Sequence, residues 1–188
     1  MITETVSKYS FIDCMKDIMS DIYSYKKRNV FSWLWYMFFN LSLQITLIYR
    51  INRYLSNKKI IRIFVAPLTY FQALISSCHI HPQAIIGRKI RFPHPTGIVI
   101  GAGVIINDDV TIFQQVTIGS HGKGEGEKNY PTIGNGVVVY AGSLIIGGII
   151  VGERAVIGAN SVVTIDVPME TIAVGSPATI KARSHVKS

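Results

Sequence analysis

From Ile98 onward the apolar residues come in pairs, and the pairs recur every six residues. Ile98/Ile100, Val104/Ile106, Val110/Ile112 and Val116/Ile118 form an unbroken run. After an interruption Val137/Val139, Ile149/Val151 and Ala155/Ile157 resume it, with Ile133, Ile145 and Val163 in the second place of their own hexads. A period of six is neither the 3.6 of a helix nor the simple alternation of one flat strand. It fits a unit made of one short strand and one turn, three of which close a triangular coil. Stacked coils pair their strands in parallel and bury one apolar column at each corner. Glycine follows the second place at Gly101, Gly119, Gly134, Gly152 and Gly158, where its tolerance of φ > 0 suits a corner. The expected fold is therefore mainly β: a parallel β-helix over residues 79–172, after an N-terminal helical region over 1–78 and before a closing segment over 173–188.

The interruption reads GSHGKGEGEKNYP from Gly119 to Pro131. Ile118 to Ile133 is fifteen residues, two hexads plus three, so the register survives only if a loop bulges out. A glycine-rich, charged loop inside a rigid solenoid marks a functional site. It is not a phosphate-cradling GxxxxGK[ST] loop, because Gly124 follows Lys123. Upstream of residue 78 no six-residue period exists. Arg50–Leu55 and Ile60–Leu74 read as helical, with Pro67 breaking the second or starting a turn. Val30–Tyr49 is long enough for a membrane span, but Ser32, Asn40, Ser42, Gln44 and Thr46 interrupt it. An interfacial amphipathic helix or a buried trimer-contact helix fits it as well.

Composition adds three points. Hydrophobic residues make up 48% of the 188 and charged residues 16%, too apolar for a disordered chain and consistent with a surface covered by a partner or a membrane. The net charge of +8 is uneven: residues 1–78 hold ten Lys/Arg against four Asp/Glu. That basic, aromatic segment can meet anionic lipid or nucleic acid, or be a solvated helical face. Cys14 and Cys78 form neither a disulfide framework nor a metal motif, and the first residues lack a signal-peptide layout. The expectation is a cytoplasmic protein with reduced thiols, possible contact with the inner membrane face being left open.

The run HIHPQAIIGRKIRFPHPTGIVIGAG, the later LIIGGIIVGERAVIGANSVV and the ending VPMETIAVGSPATIKAR resemble the hexapeptide-repeat acyltransferases, in their serine acetyltransferase-like branch. The likeness covers residues 79–188, with a weaker one around Tyr49-Arg50 and Tyr54-Leu55. It implies a left-handed parallel β-helix, a homotrimer or a dimer of trimers, and acetyl-CoA as co-substrate lying between neighbouring subunits. The N-terminal region is short for a serine acetyltransferase and nearer in length to the branch that acetylates capsule or exopolysaccharide sugars.

The same resemblance places His94, in Pro93-His94-Pro95-Thr96-Gly97, on the family's catalytic histidine, a residue type suited to general base work near neutral pH. Three departures accompany it. The aspartate before that histidine is Pro93, the aspartate of the family's DIHP is His79, and the loop's arginine–histidine pair is Asn129-Tyr130. Tyr130 keeps a hydrogen-bond donor for the oxyanion or the acceptor, and His121 in the loop is a candidate replacement for the missing histidine. Asp109 or a backbone carbonyl is a candidate orienter of His94, although Asp108-Asp109 also reads as a turn. By position Gly119, Ala141, Ala159 and Thr164 would line the pantetheine arm, with Lys181 or Arg183 at the nucleotide phosphates. His79 and His81 share a strand face, but two ligands make no metal site, and none is expected.

Losing the charges that would grip a zwitterion points the reading toward a neutral hydroxyl. The leading expectation is an O-acetyltransferase acting on a saccharide of capsule, exopolysaccharide or O-antigen. The alternative is serine O-acetyltransferase of cysteine biosynthesis. A non-catalytic β-helix scaffold is a third reading, and membrane or nucleic-acid binding by the basic N-terminus a fourth; for the leading reading nucleic acid is not an expected partner.

Overall fold

The computed structural model describes residues 9–24, 39–58, 60–122 and 129–183. Helix α1 (Phe11–Ser24) and helix α2 (Leu41–Ser56) precede a 3-10 turn (Ile61–Phe64) and helix α3 (Val65–Ser76). Among the described residues fourteen strands follow, mostly two residues long: β1 (His79–Ile80), β2 (Ile85–Ile86), β3 (Val99–Ile100), β4 (Ile105–Ile106), β5 (Thr111–Ile112), β6 (Thr117–Gly119), β7 (Thr132–Ile133) and β8 (Val138–Val139) make up the first part. β9 (Leu144–Ile146), β10 (Ile150–Val151), β11 (Val156–Ile157), β12 (Val162–Val163), β13 (Thr171–Gly175) and β14 (Ala178–Ala182) complete the set.

The strands form three parallel faces. Face A is β1-β3-β6-β9-β12, face B is β2-β4-β7-β10, and face C is β5-β8-β11-β13, with β14 added antiparallel at its end. Both members of each apolar pair point inward, because side chains two apart share one side of a strand. Ile98 and Ile100 are buried while Val99 between them faces out. The inward columns are Ile100, Ile118, Ile145 and Val163 on face A, and Ile106, Ile133 and Val151 on face B, all essentially inaccessible. This is the left-handed β-helix expected from the hexads and the resemblance.

Register shows where residues were inserted. Leu144 pairs with Val162, one coil of three hexads apart. Thr117 pairs with Leu144 and Ile105 with Thr132, each step carrying nine residues more than that. The loop after β6 therefore holds nine extra residues on top of one hexad, not three on top of two, since β6 and β7 lie on adjacent faces.

Glycine's role also differs from the expectation. The glycines behind each strand do not have positive φ. At two of them the next coil leaves no room: a Cβ on Gly134 would lie 2.7 Å from the Glu153 nitrogen, and one on Gly152 2.5 Å from that of Met169, whereas one on Gly119 would meet nothing within 4 Å. The left-handed corner positions go instead to Asp109, Arg154 and Asn160, among others. Asp and Asn tolerate that conformation better than most residues.

The helices close the open first coil. Fully buried Arg50 on α2 donates to the carbonyls of Ile86 (2.6 Å) and Gly87 (2.5 Å) and pairs with Asp21 of α1 (2.9 Å). Tyr49 donates to the Ala84 carbonyl (2.7 Å) and accepts from the Ile86 amide (3.2 Å). The edge strand's polar groups thus find partners that no further coil supplies. Helix α1 starts on a Ser10/Asp13 capping box, in which each side chain takes the other's backbone N–H. Pro67 does not break α3 but lies in its first turn, where an N–H has no intrahelical partner to lose. Of the apolar stretch Val30–Tyr49 only the part from Phe39 is described, and α2 begins inside it, capped by Asn40 accepting from the Leu43 amide. Among the described residues no helix is long and apolar enough to cross a membrane.

Candidate functional site

His94 lies in the corner between face C and face A. Arg91 bridges to Thr111 of face C, and β3 of face A starts five residues after His94. Pro95 is buried, the Thr96 amide donates to the His94 carbonyl (2.8 Å), and the Gly97 amide donates to the Ser76 carbonyl (3.3 Å). This seats the loop on the last turn of α3 and leaves His94 exposed. Above it along the same corner stand Phe113 and Tyr140. The His94 and Phe113 rings have centroids 6.4 Å apart, and Phe113 stacks on Tyr140 at 5.1 Å. Ala141 and Ala159 continue this edge, tied by the Asn160 amide donating to the Ala141 carbonyl (2.9 Å).

The opposite edge of face A carries the loop. Gly119 ends β6 and accepts from the Gly147 amide (2.9 Å), and a Cβ on it would meet nothing within 4 Å. The imidazole of His121 lies against Gly147, 3.4 Å from its Cβ position. Tyr130 returns across the coil below, its ring over Gly101 and Gly103 and packed against the apolar core. Thr164 follows β12 and falls beside Ile146, the register partner of Gly119. Residues 123–128 of the loop lie outside the described residues.

The sequence-derived candidates are thus divided between the two edges of one face. His94, Ala141 and Ala159 share the first; Gly119, His121, Tyr130 and Thr164 share the second. Lys181 on β14 and Arg183 just after it lie with neither group, and the Arg183 guanidinium donates to the Arg154 carbonyl (3.2 Å) at the corner between faces B and C. Asp109 is not an orienter of His94: it sits at that same far corner, with φ +61° and an ion pair to Arg91 at 3.0 Å. Asp108 serves the turn, accepting from the Arg88 amide (2.7 Å).

Phe113 and Tyr140 were missed by motif reasoning, though the sequence does signal them. Each follows the second apolar place of a face-C hexad, where Gly158 stands one coil later. On face A, His79 and His81 point outward from β1 and its end. Burial holds the His81 imidazole below its ordinary range, and its Nδ1 accepts from the Gln83 amide (3.1 Å). Among the described residues no group of three or more His, Cys, Asp or Glu could hold a metal ion.

Residues 130–164 match the family model for the bacterial transferase hexapeptide, six repeats. The chain is 44% identical over 144 residues to a serine acetyltransferase of Buchnera aphidicola, covering 74% of this chain and 50% of that one. It thus spans about half the length of the curated relatives it matches. In structure it resembles soybean serine acetyltransferase complexed with serine, with a TM-score of 0.79 and 34% identity over 89% of this chain and 69% of that one. A serine acetyltransferase in complex with CoA gives 0.77, with 34% identity over 93% of this chain and 72% of that one. These relatives overturn the expected saccharide acceptor and leave the capsule-modifying branch without support. The missing charges at Pro93 and Asn129 speak only for two motif positions, and charges from elsewhere in the fold can meet the same acceptor. The chain belongs to the hexapeptide-repeat acyltransferases, and its relatives there are serine acetyltransferases.

Proposed function

We propose that this chain transfers the acetyl group of acetyl-CoA to the hydroxyl of serine. The observation that carries this is the exposed His94, held at a corner of the same β-helix that the serine acetyltransferases share. His94 accepts the proton of the serine hydroxyl as its oxygen attacks the thioester carbonyl. The carbon–sulfur bond then breaks, and the leaving thiolate takes the proton back from His94. Tyr130 donates to the oxyanion formed on the way.

The open space at Gly119 and the small residues Ala141 and Ala159 give a long pantetheine arm room to lie along face A. Because the candidates occupy both edges of that face, the reading includes a homotrimer in which one copy's His94 edge meets the next copy's loop edge. The N-terminal region supports the contact between copies through exposed Ile63, Phe64, Phe71 and Leu74.

The test is thiol release from acetyl-CoA with and without L-serine, with O-acetylserine identified by mass spectrometry. His94→Ala should lower kcat by about 10²–10⁴-fold, the usual size of a general-base contribution. Thiol release independent of serine, or a fully active His94→Ala, would refute the assignment.

A further inference from the structure

Helix α1 turns an apolar stripe to the outside. Phe11, Ile12, Met15, Met19 and Tyr23 recur at helical spacing, and each is between 41% and 68% exposed. The first four, with Ser20, line a groove of about 510 Å³, and its two charged lining residues, Lys16 and Arg88, are both cations. The stripe is distinct from Ile63, Phe64, Phe71 and Leu74, which lie on the 3-10 turn and α3.

The acids of α1 are held away from this groove. Asp17 and Asp21 lie on the buried side of the helix, paired with Arg88 and Arg50 respectively at 2.9 Å each. Asp13 is occupied by the cap, accepting from the Ser10 amide (3.0 Å) and hydroxyl (2.6 Å). The stripe continues onto α2. There the Phe11 and Tyr54 rings meet edge-on with centroids 5.9 Å apart, and the Lys58 ammonium stands 5.5 Å from the Tyr54 ring centre. The sequence adds Lys26, Lys27 and Arg28 just after the end of α1.

The occupant follows from this charge pattern. A second copy docked about a two-fold axis would set Lys16 and Arg88 against their own counterparts, a repulsive arrangement. Nucleic acid would meet the cations but leave the aliphatic stripe without a partner. An anionic bilayer meets both, because acyl chains take the stripe and lipid phosphates take the cations. The 14 residues of α1 are too few to cross a bilayer and suit a helix lying in its surface.

We propose that this face of α1 docks on an anionic lipid surface. Phe11, Ile12, Met15 and Met19 enter the interface, and Lys16 and Arg88 meet the lipid phosphates. The proposal does not depend on which acceptor the enzyme uses.

Flotation of the full chain tests it, with vesicles of phosphatidylcholine alone or with about one third phosphatidylglycerol. Wild type should bind the mixed vesicles at least about tenfold more tightly than the neutral ones, and less tightly at about 0.5 M salt. Ile12→Gln/Met15→Gln should weaken binding to mixed vesicles at least about tenfold, and Lys16→Glu about tenfold. These positions are exposed, so the variants should keep the thermal unfolding profile of wild type. Ile150→Gln, at an exposed position on face B, should bind as wild type does. Equal binding to neutral vesicles, or binding undiminished in the Ile12/Met15 variant, overturns the proposal. So does a fall in that variant's oligomeric mass, measured by sedimentation without lipid, which would give the face to a second copy.

Discussion

The ring of Tyr130 lies across Gly103 and fills the space that a side chain there would need. The nearest ring atoms leave no room for a Cβ, and at the neighbouring Gly101 the ring stands 3.0 Å from the Cβ position. Gly103 is therefore small in order to seat the loop's aromatic stem. Gly103→Ala should displace the ring, lower stability by about 1–3 kcal/mol as overpacking does, and reduce kcat if Tyr130 serves the oxyanion. In a Tyr130→Ala background the same change should be harmless. Chemical denaturation and kinetics of the four variants check this; additive losses would show that the two residues do not act together.

Arg50 is the buried joint between the helices and the β-helix. Arg50→Ala removes the ion-pair partner of buried Asp21 and leaves the carbonyls of Ile86 and Gly87 without that donor. We expect a loss of about 3–5 kcal/mol, the usual result of breaking a buried pair. Asp21→Asn should cost less, because Arg50 keeps its two carbonyls. Thermal unfolding monitored by circular dichroism would rank the two, and an equal loss would show that the pair, not the capping of the first coil, dominates.

His81 gives the fold a pH dependence of known sign. Its Nδ1 accepts from the Gln83 amide, which a protonated ring cannot do, and burial adds to the penalty on the charged form. Its folded value lies below the ordinary 6.5, so the unfolded chain binds the proton more readily. The stability this group contributes is full above 6.5 and is lost as pH falls through the folded value. Denaturation midpoints at pH 5 and pH 8 should differ less in His81→Gln than in wild type; the same difference in both would disprove it.

Phe113 and Tyr140 form a stack that ends on His94. A ring pair of this kind contributes about 0.5–1.5 kcal/mol beyond burial, enough to bias the imidazole's orientation. Phe113→Leu should lower kcat about two- to tenfold with KM for acetyl-CoA unchanged, and Phe113→Tyr should restore it. In a His94→Ala background Phe113→Leu should cost nothing more, whereas an undiminished further loss would mean that Phe113 does not act through His94.

The sequence alone was enough for the repeat, the three-sided coil and its inward columns. The apolar pairs Ile98/Ile100 to Ala155/Ile157 state which side chains point in, because a strand has only two sides. It also located His94 and the loop, whose residues break the period. It misjudged the acceptor, because the absence of charge at Pro93 and Asn129 is a local fact, while a binding site collects residues from distant segments. It misread the glycines behind the strands, since an 18-residue stacking distance is not visible within one hexad.

Period and phase are local properties, and so the sequence by itself determined the β-helix and the direction of every core side chain in it. What only the tertiary structure decided is which corner each residue occupies. The two extra residues before β3 and the nine after β6 shift the count, and the pairing of whole coils absorbs the shift. That pairing sets His94 and Tyr130 on opposite edges of face A, hands Asp109 to Arg91, and brings Arg62 of the helical region over His79 and His81. Such contacts join residues far apart in the chain, and their energy comes from the packing of complete coils and helices, which no short motif encodes.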